Sequence, residues 1–74
     1  MKKEEVYEQL YSAQIGSLQD ICWDRENGEL ERTVRFAGFD KEKNPRLMFD
    51  NGIYLDLAKI GGYKSIISLQ PVFE

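Results

Sequence analysis

The sequence predicts one small, mainly β domain, in which an N-terminal α-helix precedes five antiparallel strands that close into a strongly bent barrel. Three observations lead to this prediction. Apolar residues recur at helical spacing near the N-terminus, they alternate with polar residues from Leu18 onward, and Asn-Gly pairs at 27–28 and 51–52 mark tight turns. A chain of 74 residues has room for a single domain, so we assign 1–74 to one unit.

The helix is predicted over residues 3–15. Its apolar stripe and the tyrosine pair beside it follow helical spacing: Val6, Leu10, Ala13, Tyr7 and Tyr11. Glu4, Glu5 and Glu8 suit the positive end of the helix dipole, and Gly16 suits a left-handed residue that ends the helix. The stripe is expected to cover the domain core.

The first hairpin is predicted to pair strands 18–25 and 29–38 around Asn27 and Gly28. A two-residue turn of type I′ at this pair places Ile21 opposite Val34, with one face apolar and the other polar. The same register sets acidic residues against each other across the strands. A bulge or a longer turn therefore remains an alternative to the two-residue turn.

A second hairpin is predicted from strands 46–50 and 53–60 around Asn51-Gly52, with Met48 opposite Leu55. Both of its faces carry apolar side chains, which is typical of strands covered on two sides. A fifth strand over 63–69 follows the Gly61-Gly62 turn.

These five strands are predicted to curl around Ile21, Val34, Leu55 and Ile67, beneath a helix that contributes Val6. Closure would remove most exposed strand edges. A flat five-stranded sheet with the helix across one face would bury the same residues, and periodicity does not separate the two architectures.

Composition disfavours several classes of function. The net charge of -3 disfavours binding to DNA and to anionic membranes, and no segment is apolar enough to span a bilayer. Without His, and with Cys22 as the single thiol, the chain lacks the residues for a disulfide, a zinc site or an activated nucleophile. We therefore expect a cytoplasmic, non-enzymatic protein with no catalytic residues, metal or cofactor.

Two predicted loops resemble those of a known family. The residues that carry the resemblance are Gly38, Phe39, Asp40 and Asn44 in the first loop, and Ile60 and Gly62 in the second. They match the Gly-hydrophobic-Asp-x-x-x-Asn loop and the Ile-Arg-Gly turn of the Sm-like family, whose fold is a small SH3-like barrel. The resemblance extends to the order of helix and strands along nearly the whole chain.

The resemblance implies a ring-forming protein that binds single-stranded RNA through Asp40, Lys43 and Asn44. Two positions depart from the family pattern. Lys43 stands where a stacking residue is expected, and Gly61 stands where the family has Arg. RNA binding is thus disfavoured as the main function. The resemblance still implies the pairing of strands between neighbouring subunits by which this family forms rings.

Aromatic residues exceed what one face of so small a barrel needs. The candidate partner surface consists of Tyr7, Tyr11, Phe49, Tyr54 and Tyr63. Tyrosine is enriched at protein interfaces, and acidic residues cluster in the helix and first hairpin. If the helix does not cover these aromatic residues completely, the sequence favours a protein-interaction or inhibitor module. Such a module would bind a protein partner or copies of itself.

Overall fold

The computed structural model describes residues 1–73. Its elements are α1 (Lys3–Tyr11), β1 (Leu18–Arg25), β2 (Gly28–Phe39), β3 (Pro45–Met48), a 3₁₀ turn (Tyr63–Ser65) and β4 (Ile66–Pro71). The strands form one antiparallel sheet in the order β3-β2-β1-β4. A mainly β fold with one N-terminal helix is confirmed. The sheet is open and four-stranded, so the predicted five strands and barrel closure are not confirmed.

Helix α1 ends at Tyr11 rather than at residue 15. After Tyr11 the Ala13 N–H donates to the Leu10 carbonyl (3.0 Å), three residues back, which is a tighter turn than an α-helix makes. The Gly16 N–H donates to the Phe36 carbonyl (2.7 Å), and the Phe36 N–H donates to the Ser17 carbonyl (2.9 Å). Residues 12–15 thus connect α1 to the sheet instead of extending the helix.

The β1–β2 hairpin reverses at Glu26-Asn27, with Gly28 following at φ 111°. Arg25 lies opposite Gly28, so the predicted pairing of Ile21 with Val34 is wrong by two residues. A glycine takes positive φ without a steric penalty, which explains why Gly28 rather than the asparagine adopts it. Since the shift is an even number of residues, the faces keep their predicted sides.

The second Asn-Gly turn starts a hairpin that does not continue. The Gly52 N–H donates to the Phe49 carbonyl (3.0 Å), the Phe49 N–H donates to the Ile53 carbonyl (2.9 Å), and Tyr54 forms an isolated bridge with Met48. Turns begin at Leu57, so the predicted strand 53–60 is absent, and Met48 does not oppose Leu55.

The topology explains this interruption. Strands β3 and β4 occupy opposite edges of the sheet, and the chain between them must cross about three strand spacings, or roughly 14 Å. A strand added beside β3 would run along the sheet instead of across it. The connecting segment instead lays side chains against the core: Phe49, Leu55, Leu57, Ile60 and Tyr63.

A β-bulge in β4 corrects another prediction. Trp23 pairs with Ile66, whereas Cys22 pairs with Ser68, so Ile67 is the extra residue. The bulge turns Ile66 (2% exposed) inward and leaves Ile67 46% exposed. The prediction that Ile67 lies in the core assumes strict alternation along the strand. That alternation does not continue across a bulge, so the prediction is wrong.

The core lies between one face of the sheet and the layer formed by α1 and the 49–65 connection. Its buried members are Val6, Leu10, Ile21, Trp23, Val34, Phe36, Leu47, Ile66 and Leu69. Val6, Ile21 and Val34 are therefore buried as predicted, while Leu55 is only half-buried. Within residues 1–73, no helix is long and apolar enough to cross a membrane.

Candidate functional site

Four aromatic rings run in contact from the core to the surface. The ring centroids are 5.2 Å apart between Phe36 and Phe39, 4.9 Å between Phe39 and Tyr7, and 5.7 Å between Tyr7 and Tyr11. Phe36 is 2% exposed, whereas Tyr11 is 69% exposed. We call these residues the aromatic row. Its inner end is fixed by the core, and its outer end lies in solvent.

Two local features build the aromatic row. On α1, Tyr7 and Tyr11 stand four residues apart and so occupy one side of the helix. On β2, Phe36 and Phe39 stand three residues apart, a spacing that regular strand geometry would place on opposite faces. The register of β2 against β3 shifts between these two residues, and this irregularity allows both rings to meet.

Charged side chains border the aromatic row. A hollow of about 480 Å³ is lined by Lys3, Glu4, Tyr7, Glu8 and Lys43. The Lys43 ammonium lies 5.7 Å from the centroid of the Tyr7 ring, and the Lys3 ammonium donates to the Glu42 carbonyl (3.0 Å). Both lysines therefore already have partners within the chain.

The β2–β3 loop, residues 40–44, is closed by its own hydrogen bonds. Asp40 Oδ1 accepts the backbone N–H groups of Glu42 and Asn44, each at 2.9 Å, and the Asp40 N–H donates to the Asn44 carbonyl (2.9 Å). Mainly because of the Asn44 N–H, the pKa of Asp40 lies below its ordinary value. Lys43 adopts a left-handed conformation, with φ 65°.

Asn44 also joins this loop to the 3₁₀ turn. The Tyr63 hydroxyl donates to Asn44 Oδ1 at 2.6 Å. Burial raises the pKa of the Tyr63 phenol, and the negative charge of Asp40 raises it further. The structure thus brings the three predicted RNA-contact residues together, but Asp40 and Asn44 use polar atoms to hold the loop and Lys43 lies over Tyr7.

Residues from both loops of the Sm-like resemblance line a second depression. This groove of about 630 Å³ lies between the β2–β3 loop and the 54–62 segment; its wall includes Asp40, Asn44, Arg46, Tyr54 and Gly62. The two predicted loops are therefore neighbours in the folded chain.

The predicted partner residues occupy different positions. Tyr7 and Tyr11 make ring contact, Phe49 and Tyr63 pack against the core, and Tyr54 lines the groove beside β3. Sequence reasoning missed Phe39 as a member of the aromatic row, because regular alternation gives no signal for the irregularity in β2. It also missed Ile15, which lies beyond the end of α1 and is 76% exposed.

The outer face of the β1–β2 hairpin is acidic. Asp24 lies opposite Glu29, and Cys22 lies opposite Glu31. Burial, followed by the charges of these acidic neighbours, raises the pKa of the Cys22 thiol, whose Sγ donates to Glu29 Oε2 at 3.9 Å. A thiol kept protonated in this way is a poor nucleophile. No three His, Cys, Asp or Glu residues in 1–73 are grouped closely enough to hold a metal ion.

Searches against protein-family models, curated proteins and solved structures find no match for this chain. The Sm-like resemblance of the two loops therefore stays a prediction. The aromatic row and its charged border are the features from which a function can be argued.

Proposed function

We propose that this chain is a non-enzymatic protein-interaction module, which binds a protein partner or copies of itself through an aromatic and acidic surface. The observation that supports this most is the aromatic row, because it ends in a tyrosine that is 69% exposed. Because contact with Tyr7 already restricts the Tyr11 ring, that ring loses little conformational freedom when a partner covers it. Anchors of this kind contribute disproportionately to binding energy.

The charges around the row favour a protein over a nucleic acid. Glu4 and Glu8 border the hollow beside Tyr7, and the whole chain carries a net charge of -3. The two lysines of the hollow do not outnumber its two glutamates. The net charge of the chain therefore repels phosphate backbones and attracts a partner with exposed lysine or arginine.

The state of the reactive groups supports a binding role. The Cys22 thiol has a raised pKa, and Asp40 accepts backbone hydrogen bonds within its own loop. Neither group is arranged as an activated nucleophile or general base. The single unpaired cysteine agrees with a reducing compartment, and we propose the cytoplasm as the location.

A ring-forming, Sm-like RNA-binding protein is the second candidate. The observation that favours it is the shared groove, in which Asp40 and Asn44 of one loop meet Gly62 of the other beside the cation of Arg46. Against it, Asn44 Oδ1 already accepts the Tyr63 hydroxyl. The protein-interaction candidate needs no rearrangement of its site, so we prefer it.

The test compares partners retained from the native host by the wild-type chain and by Tyr11→Ala. Ile53→Ala serves as control, because Ile53 is also exposed (62%) and lies outside the aromatic row. We expect Tyr11→Ala to lose a partner that Ile53→Ala retains, or to abolish self-association in sedimentation. Equal behaviour of the wild type and Tyr11→Ala in both assays would contradict the proposal. Salt-sensitive binding of oligouridine that Asn44→Ala removes would favour the second candidate.

A further inference from the structure

Within the proposed function, we infer that the partner of the aromatic row is a cationic amphipathic protein segment, whose apolar side chains cover Tyr11 and Ile15 while its lysines or arginines reach Glu4 and Glu8. We call Tyr7, Tyr11 and Ile15, together with Glu4 and Glu8, the docking surface. The inference names the chemistry of the partner and rests on the proposal that the aromatic row is an interaction site.

The apolar half of the docking surface is exposed and anchored. Tyr11 is 69% exposed and contacts Tyr7, while Ile15 is 76% exposed. The Ile15 side chain lies 3.6 Å from where a Cβ on Gly38 would stand, so it is located at the end of β2 that also holds Phe39. Apolar side chains from a partner would remove these groups from water.

The charged half decides which partner fits. The two lysines of the hollow are engaged within the chain: Lys3 donates to the Glu42 carbonyl, and Lys43 lies over the Tyr7 ring. Glu4 and Glu8 line the same hollow from the exposed side of α1. Both lysines keep their positive charges, but α1 as a whole carries three glutamates against one lysine, so the helix presents net negative charge to a partner. A cationic partner complements that charge.

The same charges disfavour a second copy of this chain. A two-fold dimer places the same patch on both subunits, so Glu4 and Glu8 would approach the equivalent acidic helix of the other copy. Each copy also carries a net charge of -3. Juxtaposed like charges weaken an interface, and a partner of opposite charge avoids this repulsion.

The first test uses a synthetic helical peptide of about 14 residues composed of leucine and lysine, and a matched peptide of leucine and glutamate. Binding is followed by fluorescence anisotropy at about 0.05 and 0.3 M NaCl. We expect the lysine peptide alone to bind, more weakly at high salt. No binding of the lysine peptide up to about 1 mM, or equal binding of both peptides, would overturn the inference.

Variants separate the docking surface from general charge. Glu4→Gln/Glu8→Gln should weaken lysine-peptide binding about 2- to 30-fold, as expected for the loss of two exposed ion pairs. Glu26→Gln/Glu29→Gln removes the same charge from the β1–β2 hairpin and should have less than about a twofold effect. Circular dichroism checks that both pairs fold. Equal losses in the two double variants would show non-specific attraction and overturn the inference.

The native partner distinguishes this inference from the proposed function. If Tyr11→Ala loses the partner and Glu4→Gln/Glu8→Gln retains it with unchanged affinity, the interaction role stands and the cationic class is wrong. If Tyr11→Ala retains the partner and also self-associates like the wild type, the proposed function itself fails. Loss of binding in both variants supports both statements.

Discussion

The Tyr63 hydroxyl donates a 2.6 Å hydrogen bond to Asn44 Oδ1, linking residues that lie 19 positions apart. Asn44 immediately precedes β3 at one edge of the sheet, and Tyr63 begins the turn that leads into β4 at the other edge. The bond thus joins the segment just before one edge strand to the segment just before the other edge strand. In a closed barrel, hydrogen bonds between paired strands would connect the two edges instead.

Loss of this bond should destabilise the domain. Tyr63→Phe removes one half-buried hydrogen bond and leaves the ring, so we expect a loss of about 0.5–1.5 kcal/mol in the free energy of unfolding. The measurement is urea unfolding followed by circular dichroism. Tyr54→Phe is the control, since Tyr54 is 49% exposed and should tolerate loss of its hydroxyl.

A double-mutant cycle tests whether the partner is Asn44. The effects of Tyr63→Phe and Asn44→Ala should be less than additive, since each removes the same bond. Additive effects would show that Tyr63 stabilises the fold through other contacts.

The bulge in β4 predicts opposite outcomes at adjacent isoleucines. Ile66→Ala empties a core position and should cost about 2–4 kcal/mol, which is a large part of the stability of so small a domain. Ile67→Ala truncates a side chain that is 46% exposed and should cost less than about 1 kcal/mol. Thermal unfolding of both variants provides the comparison. A larger loss of stability for Ile67→Ala than for Ile66→Ala would indicate that Ile67 lies in the core, as regular alternation predicts, and would contradict the bulge.

The first reversal predicts a difference between Asn27 and Gly28. Gly28→Ala forces a side chain into φ 111° and should cost about 1–2 kcal/mol, whereas Asn27→Ala should change stability by less than about 0.5 kcal/mol. A type I′ turn centred on both residues would require positive φ at Asn27 as well. Comparable losses at the two positions in urea unfolding would favour that turn.

The lowered pKa of Asp40 predicts a pH dependence at acid pH. Near pH 4 the unfolded chain binds more protons at this carboxyl than the folded chain does, so stability rises with pH there. The contribution is fully present above the unfolded pKa of about 3.9 and is lost as the pH falls through the lower folded pKa. The free energy of unfolding, measured in urea, should thus fall more steeply below pH 4 for the wild type than for Asp40→Asn.

Asp40→Asn is a suitable comparison because asparagine keeps an oxygen that can accept the Asn44 N–H but does not titrate. If the two proteins lose stability in parallel as the pH falls, the Asp40 carboxylate does not contribute to the acid sensitivity. Agreement between them at pH 7 would show, in addition, that the loop needs an acceptor rather than a charge.

Local patterns predicted much of this fold. Alternation over β1 and β2 placed Ile21 and Val34 in the core, and the even shift in register left that assignment intact. The errors arose where tertiary structure overrides local pattern. The bulge reversed the expected environment of Ile67, and the crossing between sheet edges replaced the strand predicted over 53–60.

The candidate site was predictable in part for the same reason. Helical spacing alone indicated that Tyr7 and Tyr11 are neighbours, and their rings are in contact. Nothing local indicated that Phe39 would join them, because that contact depends on the irregular register of β2 against β3. Nor could spacing show that Tyr63 would bond to Asn44, since that contact requires the return of the chain across the sheet.

The most direct test of the interaction role is site-specific photo-crosslinking in the native host, with a photoreactive phenylalanine at Tyr11 and, separately, at Thr33 on the exposed outer face of the sheet. We expect position 11 to yield a discrete adduct with one protein and position 33 to yield none. A folded, expressed protein that forms no protein adduct at position 11, or forms the same adducts at both positions, would contradict the interaction role.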